Sequence, residues 1–164
     1  MKNQIILTSG IMFLISLTLL INGCSSDAKL EVEAQLVYSV GGPQPIAREM
    51  FFLYDVDPVT LNIPDSDGSR DRIVRKIIPF KNPTKAGSYF PTDPEVNAVI
   101  QPHVIKQVLT DFQGKAVFDN LRPGDYWLVG SAERRDSLTE YWMTKVTVGP
   151  GDNKILLSQD NSVK

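Results

Sequence analysis

The sequence has very little of two residues that build many active sites: its 164 residues include one cysteine, Cys24, and one histidine, His103. A lone cysteine cannot form an internal disulfide, which excludes a disulfide framework, zinc ribbons and CxxC redox chemistry. Zinc sites draw on several histidine and cysteine ligands, so zinc is also disfavoured. A Ser-His-Asp triad would have to use His103, and no nucleophile-elbow motif follows the N-terminal segment. The sequence therefore predicts no catalytic residue, no bound metal and no cofactor.

Positive charge is not in excess either. The chain carries 17 Lys and Arg against 19 Asp and Glu, a formal net charge of -2. Proteins that bind nucleic acids carry a basic excess that neutralises phosphates, so nucleic acid is not an expected partner. Charged residues make up 22% of the chain, which is too few for a disordered protein. The length and composition together predict one folded domain.

The N-terminal segment is almost free of charge. Lys2 is followed by uncharged side chains as far as Ser26, and residues 5–21 are mainly Ile, Leu, Met and Phe. A basic start followed by an apolar run is typical of a signal peptide. The run is nearly as long as the ~20 residues that span a bilayer, so an uncleaved membrane anchor is an alternative.

The residues after the apolar run favour a lipoprotein. Ile21-Asn22-Gly23-Cys24 resembles the lipobox of bacterial lipoproteins, in which the cysteine is acylated and becomes the mature N-terminus. The resemblance implies that residues 1–23 are a signal peptide, that Cys24 carries lipid such as palmitate, and that residues 24–29 form a lipidated tether to the membrane. Ser25, rather than Asp, follows the cysteine, which in the family pattern favours the outer membrane where the organism has one. A plain secretory signal is the remaining alternative.

Residues 30–160 are predicted to form short strands separated by turns. Leu30 to Tyr38 alternates apolar and polar side chains with a period of two, which predicts a half-buried strand. The turn Asp111–Gly114 predicts a hairpin, and Leu121–Gly124, which contains the pair Pro123-Gly124, suits a type II turn. The remaining strands are expected at 46–54, 104–110, 115–118, 124–129, 140–148 and 154–158. Seven strands at this spacing predict a mainly β, antiparallel sandwich.

Two turn motifs resemble the signature of carboxypeptidase regulatory-like and Cna B-type domains. The stretch from Thr110 to Phe118 has the T-D-x-x-G hairpin of that family, and the stretch from Leu121 to Tyr126 has its L-x-P-G-x-Y turn. Pro45-Ile46-Ala47 stands where the family has P-V-A. The resemblance covers residues 30–54 and 104–158. It implies a seven-strand, prealbumin-like or Ig-like sandwich that usually serves as a stalk, accessory or binding module.

Residues 56–103 form an insert where the family often has a short connection. Nearly 50 residues are too many for an ordinary loop, so the insert should contain structure. Thr92-Asp93-Pro94-Glu95 is a capping box, which predicts one short helix after it. A second apolar face, which a helix or a strand could form, comprises Ile73, Val74, Ile77 and Ile78.

Two predicted strands carry apolar side chains on both faces. The alternation that turns Phe51 and Leu53 toward the sandwich interior turns Phe52 and Tyr54 outward, and Trp127 has the same outward parity. A sheet that is apolar on both faces is covered on both, or else one face binds a partner. We expect the insert to cover this face as a third layer. The alternative is an aromatic platform of Phe52, Tyr54 and Trp127 that stacks on a sugar or protein partner.

A cluster of carboxylates around Gly68 is a weaker candidate site. The segment from Asp65 to Asp71 places three aspartates around this glycine, and they could supply oxygen ligands to Ca²⁺. It lacks the glutamate and the length of an EF-hand loop, and Arg70 and Arg72 lower the local negative potential. A solvated turn is therefore the preferred interpretation.

These observations predict a non-catalytic binding or accessory protein of the cell envelope, attached to the membrane through Cys24. Its further partner, a protein or a glycan, is not identified by the sequence. A carbohydrate-binding module that uses the aromatic outer face is one alternative. A metal-dependent enzyme that uses the Asp65–Asp71 loop is another.

Overall fold

The computed structural model describes residues 27–79 and 93–163, and in this part of the chain two four-stranded β-sheets face each other. The mainly β sandwich predicted from the sequence is confirmed, and its first strand begins two residues before residue 30. The strands in chain order are β1 (Ala28–Tyr38), β2 (Gly42–Pro45), β3 (Met50–Tyr54), β4 (Val104–Leu109), β5 (Lys115–Leu121), β6 (Gly124–Glu133), β7 (Thr139–Val148) and β8 (Gly151–Leu157).

The first sheet is built around β1, which is long enough to pair with three strands. β8 lies parallel along one side of it, with Ala28 opposite Gly151. β5 and β2 lie antiparallel on the other side, end to end. The N–H of Ala34 donates to the carbonyl of Gly114, and the carbonyl of Ala34 accepts from the N–H of Ile46. Ala34 therefore lies at the boundary between the part of β1 that pairs with β5 and the part that pairs with β2. The first and last strands of the described domain therefore hold each other directly.

A side chain continues the pairing of β1 where β8 ends. The N–H of Val37 donates to Oε1 of Gln159 at 2.8 Å, and the carbonyl of Val37 accepts from Nε2 of Gln159 at 3.0 Å. Gln159 begins a short 3₁₀ turn, Gln159–Asn161, which Ser158 caps. The amide of Gln159 thus satisfies backbone groups that would otherwise lie unpaired at the edge of the sheet.

The second sheet has the order β4-β3-β6-β7 and supplies the largest side chains of the core. The ring centres of Phe51 and Trp142 lie 6.2 Å apart between the sheets, and both side chains are fully buried. Trp142 Nε1 donates to the carbonyl of Ser158 at 2.8 Å, so its polar group is buried with a partner. The facing side chains of β1 include Leu30 and Val32, which are buried as their parity predicts.

Two strand pairings differ from the expectation. Gly42–Pro45, expected as part of a turn, pairs with β1, so the described domain has eight strands rather than seven. β5 is not the hairpin partner of β4, because β5 pairs with β1 whereas β4 pairs with β3 in the other sheet. The turn Asp111–Gly114 does form, and Gly114 adopts a φ of 75°. Turn residues determine where the chain reverses, but not which sheet the next strand joins.

The turn that precedes β6 also differs from the expected type II geometry. Asn120, with a φ of 48°, takes the left-handed conformation, and Gly124 does not. Tyr126 faces inward as predicted, and its hydroxyl donates to the carbonyl of Arg122 at 2.7 Å. A tyrosine that bonds to the backbone a few residues upstream is a recurrent feature of β-sandwiches. This hydrogen bond links β6 to the turn that precedes it.

The described part of the insert contains two α-helices, α1 (Arg70–Ile77) and α2 (Pro94–Ile100). The apolar segment around Ile73, which either a helix or a strand could have formed, is α1. Asp93 caps α2 by accepting from the N–H of Glu95 at 2.8 Å, and Pro94 occupies the first helical position. Thr92 of the predicted capping box lies outside the described residues. Neither described helix has the length and apolar content that crossing a bilayer requires.

Gly130 of β6 should be intolerant of a side chain, because the Phe51 ring lies directly over it and a Cβ there would overlap that ring. We expect Gly130→Ala to lower the free energy of unfolding by about 1–3 kcal/mol, the usual cost of overpacking. Gly124→Ala is the matched control, since a Cβ there meets only Tyr126 at 4.0 Å. Urea unfolding curves measure both, and equal stability of the two variants would contradict this packing.

Candidate functional site

The outward face of the second sheet is where the sequence placed the candidate ligand surface. Strand register determines which side chains are neighbours there, because directly paired residues of antiparallel strands point to the same face. Phe52 and Tyr54 of β3 each have one neighbour on β4 and one on β6. The two resulting rows are Gln107, Phe52 and Val129, and beside them Val104, Tyr54 and Trp127.

The insert covers most of this face as a third layer, as expected from the parity argument. Its helices present one apolar side each, and these sides pack against the outward side chains of the sheet. Together they form a second apolar core, separate from the one between the sheets. Its members include Phe52, Tyr54, Ile73, Val74, Ile77, Val96, Ile100, Val129 and Met143.

Two arginines of α1 lie over aromatic rings of the sheet. The guanidinium carbon of Arg70 is 4.7 Å from the ring centre of Trp127, and that of Arg75 is 4.8 Å from the ring centre of Tyr141. Arg70 also contacts the carboxylate of Asp57 at 3.4 Å. Cations over aromatic faces attract the rings electrostatically. These contacts position α1 across β6 and β7 at both ends of the helix.

The structure corrects the idea of an open aromatic platform. Tyr54 is 1% exposed and Phe52 is 7% exposed, because the helices lie on them. Trp127 is half-buried, with Arg70 over its ring. The parity of the strands predicted which rings point outward, but it could not show how completely the insert covers them. These three rings therefore do not form a flat surface on which a sugar or a protein could stack.

A cavity of about 180 Å³ remains between the sheet and the insert. Phe52, Tyr54 and the ends of the two helices form its buried base, and exposed side chains form its rim. We call it the Tyr54 pocket. Its residues are Phe52, Tyr54, Ile77, Pro79, Asn97, Ile100, Gln101, Val104 and Gln107. The sequence pattern indicated the two aromatic residues but not the amide side chains. The outward parity of Gln107, beside Phe52, is the signal that could have indicated one of them.

The hydroxyl of Tyr54 has an unusual environment. Its side chain is almost fully buried. Burial raises the pKa of this hydroxyl above its ordinary value, so it stays protonated at physiological pH.

The Asp65–Asp71 loop does not gather its carboxylates. Asp67 pairs with Arg72 at 3.2 Å, and Asp71 pairs with Arg75 at 3.0 Å. Hydrogen bonds from Ser69 hold the pKa of Asp67 below its usual range, as does the charge of Arg72. Within residues 27–79 and 93–163, no group of three His, Cys, Asp or Glu side chains lies close enough to hold a metal ion. The loop is a turn stabilised by local ion pairs.

The other residues singled out by the sequence lie apart from the Tyr54 pocket. His103 Nδ1 is 3.0 Å from the carboxylate of Asp55, and both side chains are partly exposed. Cys24 lies outside the described residues, so its acylation stays a prediction.

Comparisons with known proteins give structural similarity at low identity. Neither a protein-family model nor a curated protein matches this chain. A protein from Pseudomonas aeruginosa with a proposed carbohydrate-binding role is 19% identical, with a TM-score of 0.45, and the match covers 82% of this chain and 89% of that protein. The resemblance to carboxypeptidase regulatory-like domains therefore stays a prediction.

Two pilins are similar at still lower TM-scores. The minor pilin of Streptococcus agalactiae is 18% identical over 81% of this chain and 44% of its own, with a TM-score of 0.41. The major pilin SpaD of Corynebacterium diphtheriae is 14% identical over 80% of this chain and 32% of its own, with a TM-score of 0.36. This chain spans less than half of either pilin. The fold described above rests on its own strand pairing.

The outer face of the first sheet carries charged side chains together with exposed apolar ones such as Val117 and Leu156. The titration of one of its carboxyls, that of Glu33, should show the effect of a neighbouring lysine. Lys154 lies 2.6 Å from Glu33, and this hydrogen bond lowers the pKa of the Glu33 carboxyl. The contribution of this pair to folding stability is fully present above the ordinary carboxyl pKa. It is lost as the pH falls through the lowered pKa of Glu33. We expect Lys154→Met to return the pKa of Glu33 toward its ordinary value in an NMR titration. An unchanged pKa would contradict the pairing.

Loss of an apolar contact between α1 and the sheet should destabilise the whole domain. Ile73 is fully buried in the second core, so Ile73→Ala should lower the free energy of unfolding by about 2–5 kcal/mol. Arg72→Ala, one residue away on the exposed side of α1, removes only an exposed ion pair and should change stability by less than about 0.5 kcal/mol. Denaturant unfolding followed by tryptophan fluorescence compares the two. Similar stability of both variants would mean that α1 does not pack on the sheet.

Proposed function

We propose that this chain is a lipid-anchored, non-catalytic binding or accessory protein of the cell envelope. The observation that carries the proposal is the sequence Ile21-Asn22-Gly23-Cys24, which resembles a lipobox and directly precedes the folded domain. β1 begins at Ala28, only four residues after the cysteine. A fully extended chain covers at most about 3.6 Å per residue, so the anchor would lie within about 14 Å of the sandwich.

A short tether of this kind would hold one end of the sandwich at the membrane. Leu121 and Gly151 pair with Ala28, so the turns next to these residues would face the lipid surface. β1 would then run away from the membrane toward Tyr38. Two or three acyl chains hold a protein far more firmly than one, which binds only marginally. The domain would therefore stay on its membrane, and Ser25 favours the outer membrane in an organism that has two.

A binding role fits the side chains better than catalysis does. The only histidine of the sequence pairs with Asp55, and Asp67 and Asp71 of the 65–71 segment pair with arginines. The two sheets and the insert instead form a rigid scaffold that leaves a small cavity beside Tyr54. The partner in this proposal is a protein or a glycan at the envelope, in addition to the membrane itself.

Labelled palmitate tests the anchor. We expect the wild-type chain to incorporate the label in a bacterial host and to sediment with membranes, and we expect Cys24→Ala to lose both properties. Ser26→Ala, two residues away, should keep them. In a host with two membranes, Ser25→Asp should keep the label and move to the inner-membrane fraction.

Two results would contradict the proposed lipid anchor. Label that persists in Cys24→Ala would show that acylation occurs elsewhere or that the association is indirect. An unlabelled wild-type chain that is found in membranes with its N-terminal segment intact would identify that segment as a retained anchor instead.

A further inference from the structure

We propose that the outer edge of β7 is a strand-pairing site for a second copy of this chain, and that residues 158–163 form a strap that keeps this site closed. The site lies at the opposite edge of the second sheet from β4 and the Tyr54 pocket. Three features of the molecule support the proposal: the backbone groups along β7, the contacts of the strap, and the side-chain pattern of β7.

The backbone of β7 has one side that does not pair within its sheet. β7 is the last strand of the order β4-β3-β6-β7, so half of its backbone groups point away from β6. The carbonyl of Tyr141 is one of them, because it accepts from the N–H of Val163 at 2.7 Å. In an antiparallel strand every second residue has its N–H and its carbonyl on the same side. Met143, Lys145 and Thr147 therefore direct their backbone groups outward as well, and such an edge is a template for another strand.

The strap reaches this edge from the other sheet. The side-chain amide of Gln159 holds the strap on β1 through its two hydrogen bonds to Val37. Beside it, the carbonyl of Ser158 accepts from Nε1 of the buried Trp142 at 2.8 Å. Val163 ends the strap on β7 with its N–H, and its side chain packs against the second core. The strap thus crosses the side of the sandwich where β8 and β7 are the edge strands, and it occupies the place of a further strand.

The rest of the β7 edge is protected more weakly. The carbonyl of Met143 accepts from Arg70 Nη1 at 3.5 Å, which is long for a hydrogen bond. Lys145 places a charged side chain on the edge, a feature that deters strand pairing. Its ammonium group lies 2.7 Å from the carboxylate of Asp125 on β6, however, so its charge is offset. Opening the strap would therefore leave most of the edge open to another strand.

A second copy of β7 fits this edge along nearly its whole length. We consider an antiparallel pairing in which Thr144 lies opposite Thr144 of the second copy. Met143 then lies opposite Lys145 of the second copy, and Tyr141 lies opposite Thr147 of the second copy. Every residue with outward backbone groups in this range thus meets a residue of the same kind, so both N–H and carbonyl groups find partners.

The side chains of β7 are compatible with this register. The charged residues of the strand are Glu140 and Lys145. Glu140 would lie opposite Val148 of the second copy and Lys145 opposite Met143, so no like charges face each other. The strand is otherwise rich in Thr, Tyr, Trp and Val, which are favoured in strands. The sequence of β7 therefore favours pairing with itself once the strap is open.

The direction of the pairing limits where it can occur. Because the two strands are antiparallel, the two copies point in opposite directions. Under the proposed anchoring, copies in one membrane would point the same way and could not pair through β7. The strap is therefore needed by copies that are not yet anchored, which it keeps monomeric. This consequence alone rests on the proposed function; the pairing site does not.

Sedimentation equilibrium of the full chain in density-matched detergent tests the strap, with Cys24→Ala in every variant so that no acyl chain contributes. Val163→Pro removes the N–H that donates to Tyr141. Ser162 already has the extended backbone that a following proline requires, with a φ of -73° and a ψ of 159°. We expect the chain with an intact strap to sediment as a monomer and Val163→Pro to sediment as a dimer. Val163→Ala keeps the N–H and should stay monomeric.

A second variant opens the strap at its other end. Gln159→Ala combined with Asn161→Ala removes the side-chain hydrogen bonds of the strap to β1 and β8. It should also sediment as a dimer, and it tests the proposal even if Val163→Pro fails to fold. Asp160→Ala, in the same turn, leaves these bonds in place and is the matched control that should remain monomeric.

A single cysteine reports which strand pairs. Thr144→Cys should form a disulfide between two copies when Val163→Pro opens the strap, and should not when the strap is closed. Directly opposed residues of this kind have Cα atoms about 4.5 Å apart, which suits a disulfide. Thr147→Cys, which lies far from its own counterpart in this register, should not crosslink.

Three results would overturn the proposal. Monomers in both opened variants would show that the edge does not pair. Dimers of the chain with an intact strap would show that the strap does not close the site. Equal crosslinking at positions 144 and 147 would place the contact between copies elsewhere. None of these results depends on acylation of Cys24, which every variant lacks.

Discussion

The structure depends on one constraint: β3 and β6 carry large apolar side chains on both faces, so the second sheet has to be covered on both sides. The first sheet covers the inner face through residues such as Val32 and Phe118. The outer face holds Phe52 and Val129, and it is covered by α1 and α2. Each fully buried side chain of this size contributes about 1.5–3 kcal/mol, so the insert is a structural layer rather than a loop.

The outer faces of the two sheets differ in what covers them. On the first sheet, Glu31, Glu33 and Lys154 form exposed ion pairs, which contribute little and leave the face solvated. On the second, α1 and α2 pack over the sheet, and the Tyr54 pocket lies where these helices end.

Much of this arrangement could be predicted from local patterns, and the rest depends on contacts between distant residues. Alternation along β1 and β3 predicted which side chains face inward, and the doubled apolar faces predicted a third layer. The pairing of β5 with β1 could not be predicted, since the turn at Gly114 allows either sheet. The pocket was missed because Gln107 and Asn97 come together only when β4 and α2 pack beside Tyr54.

Amide hydrogen exchange tests most directly whether the insert is part of the folded core. Amides in the middle of α1, such as those of Val74 and Ile77, should exchange as slowly as those of Phe52 and Val129, because the helix and the sheet share one core and unfold together. Slow exchange in β3 and β6 combined with exchange of α1 at the rate of a free peptide would contradict the account. It would show that the insert does not cover the sheet.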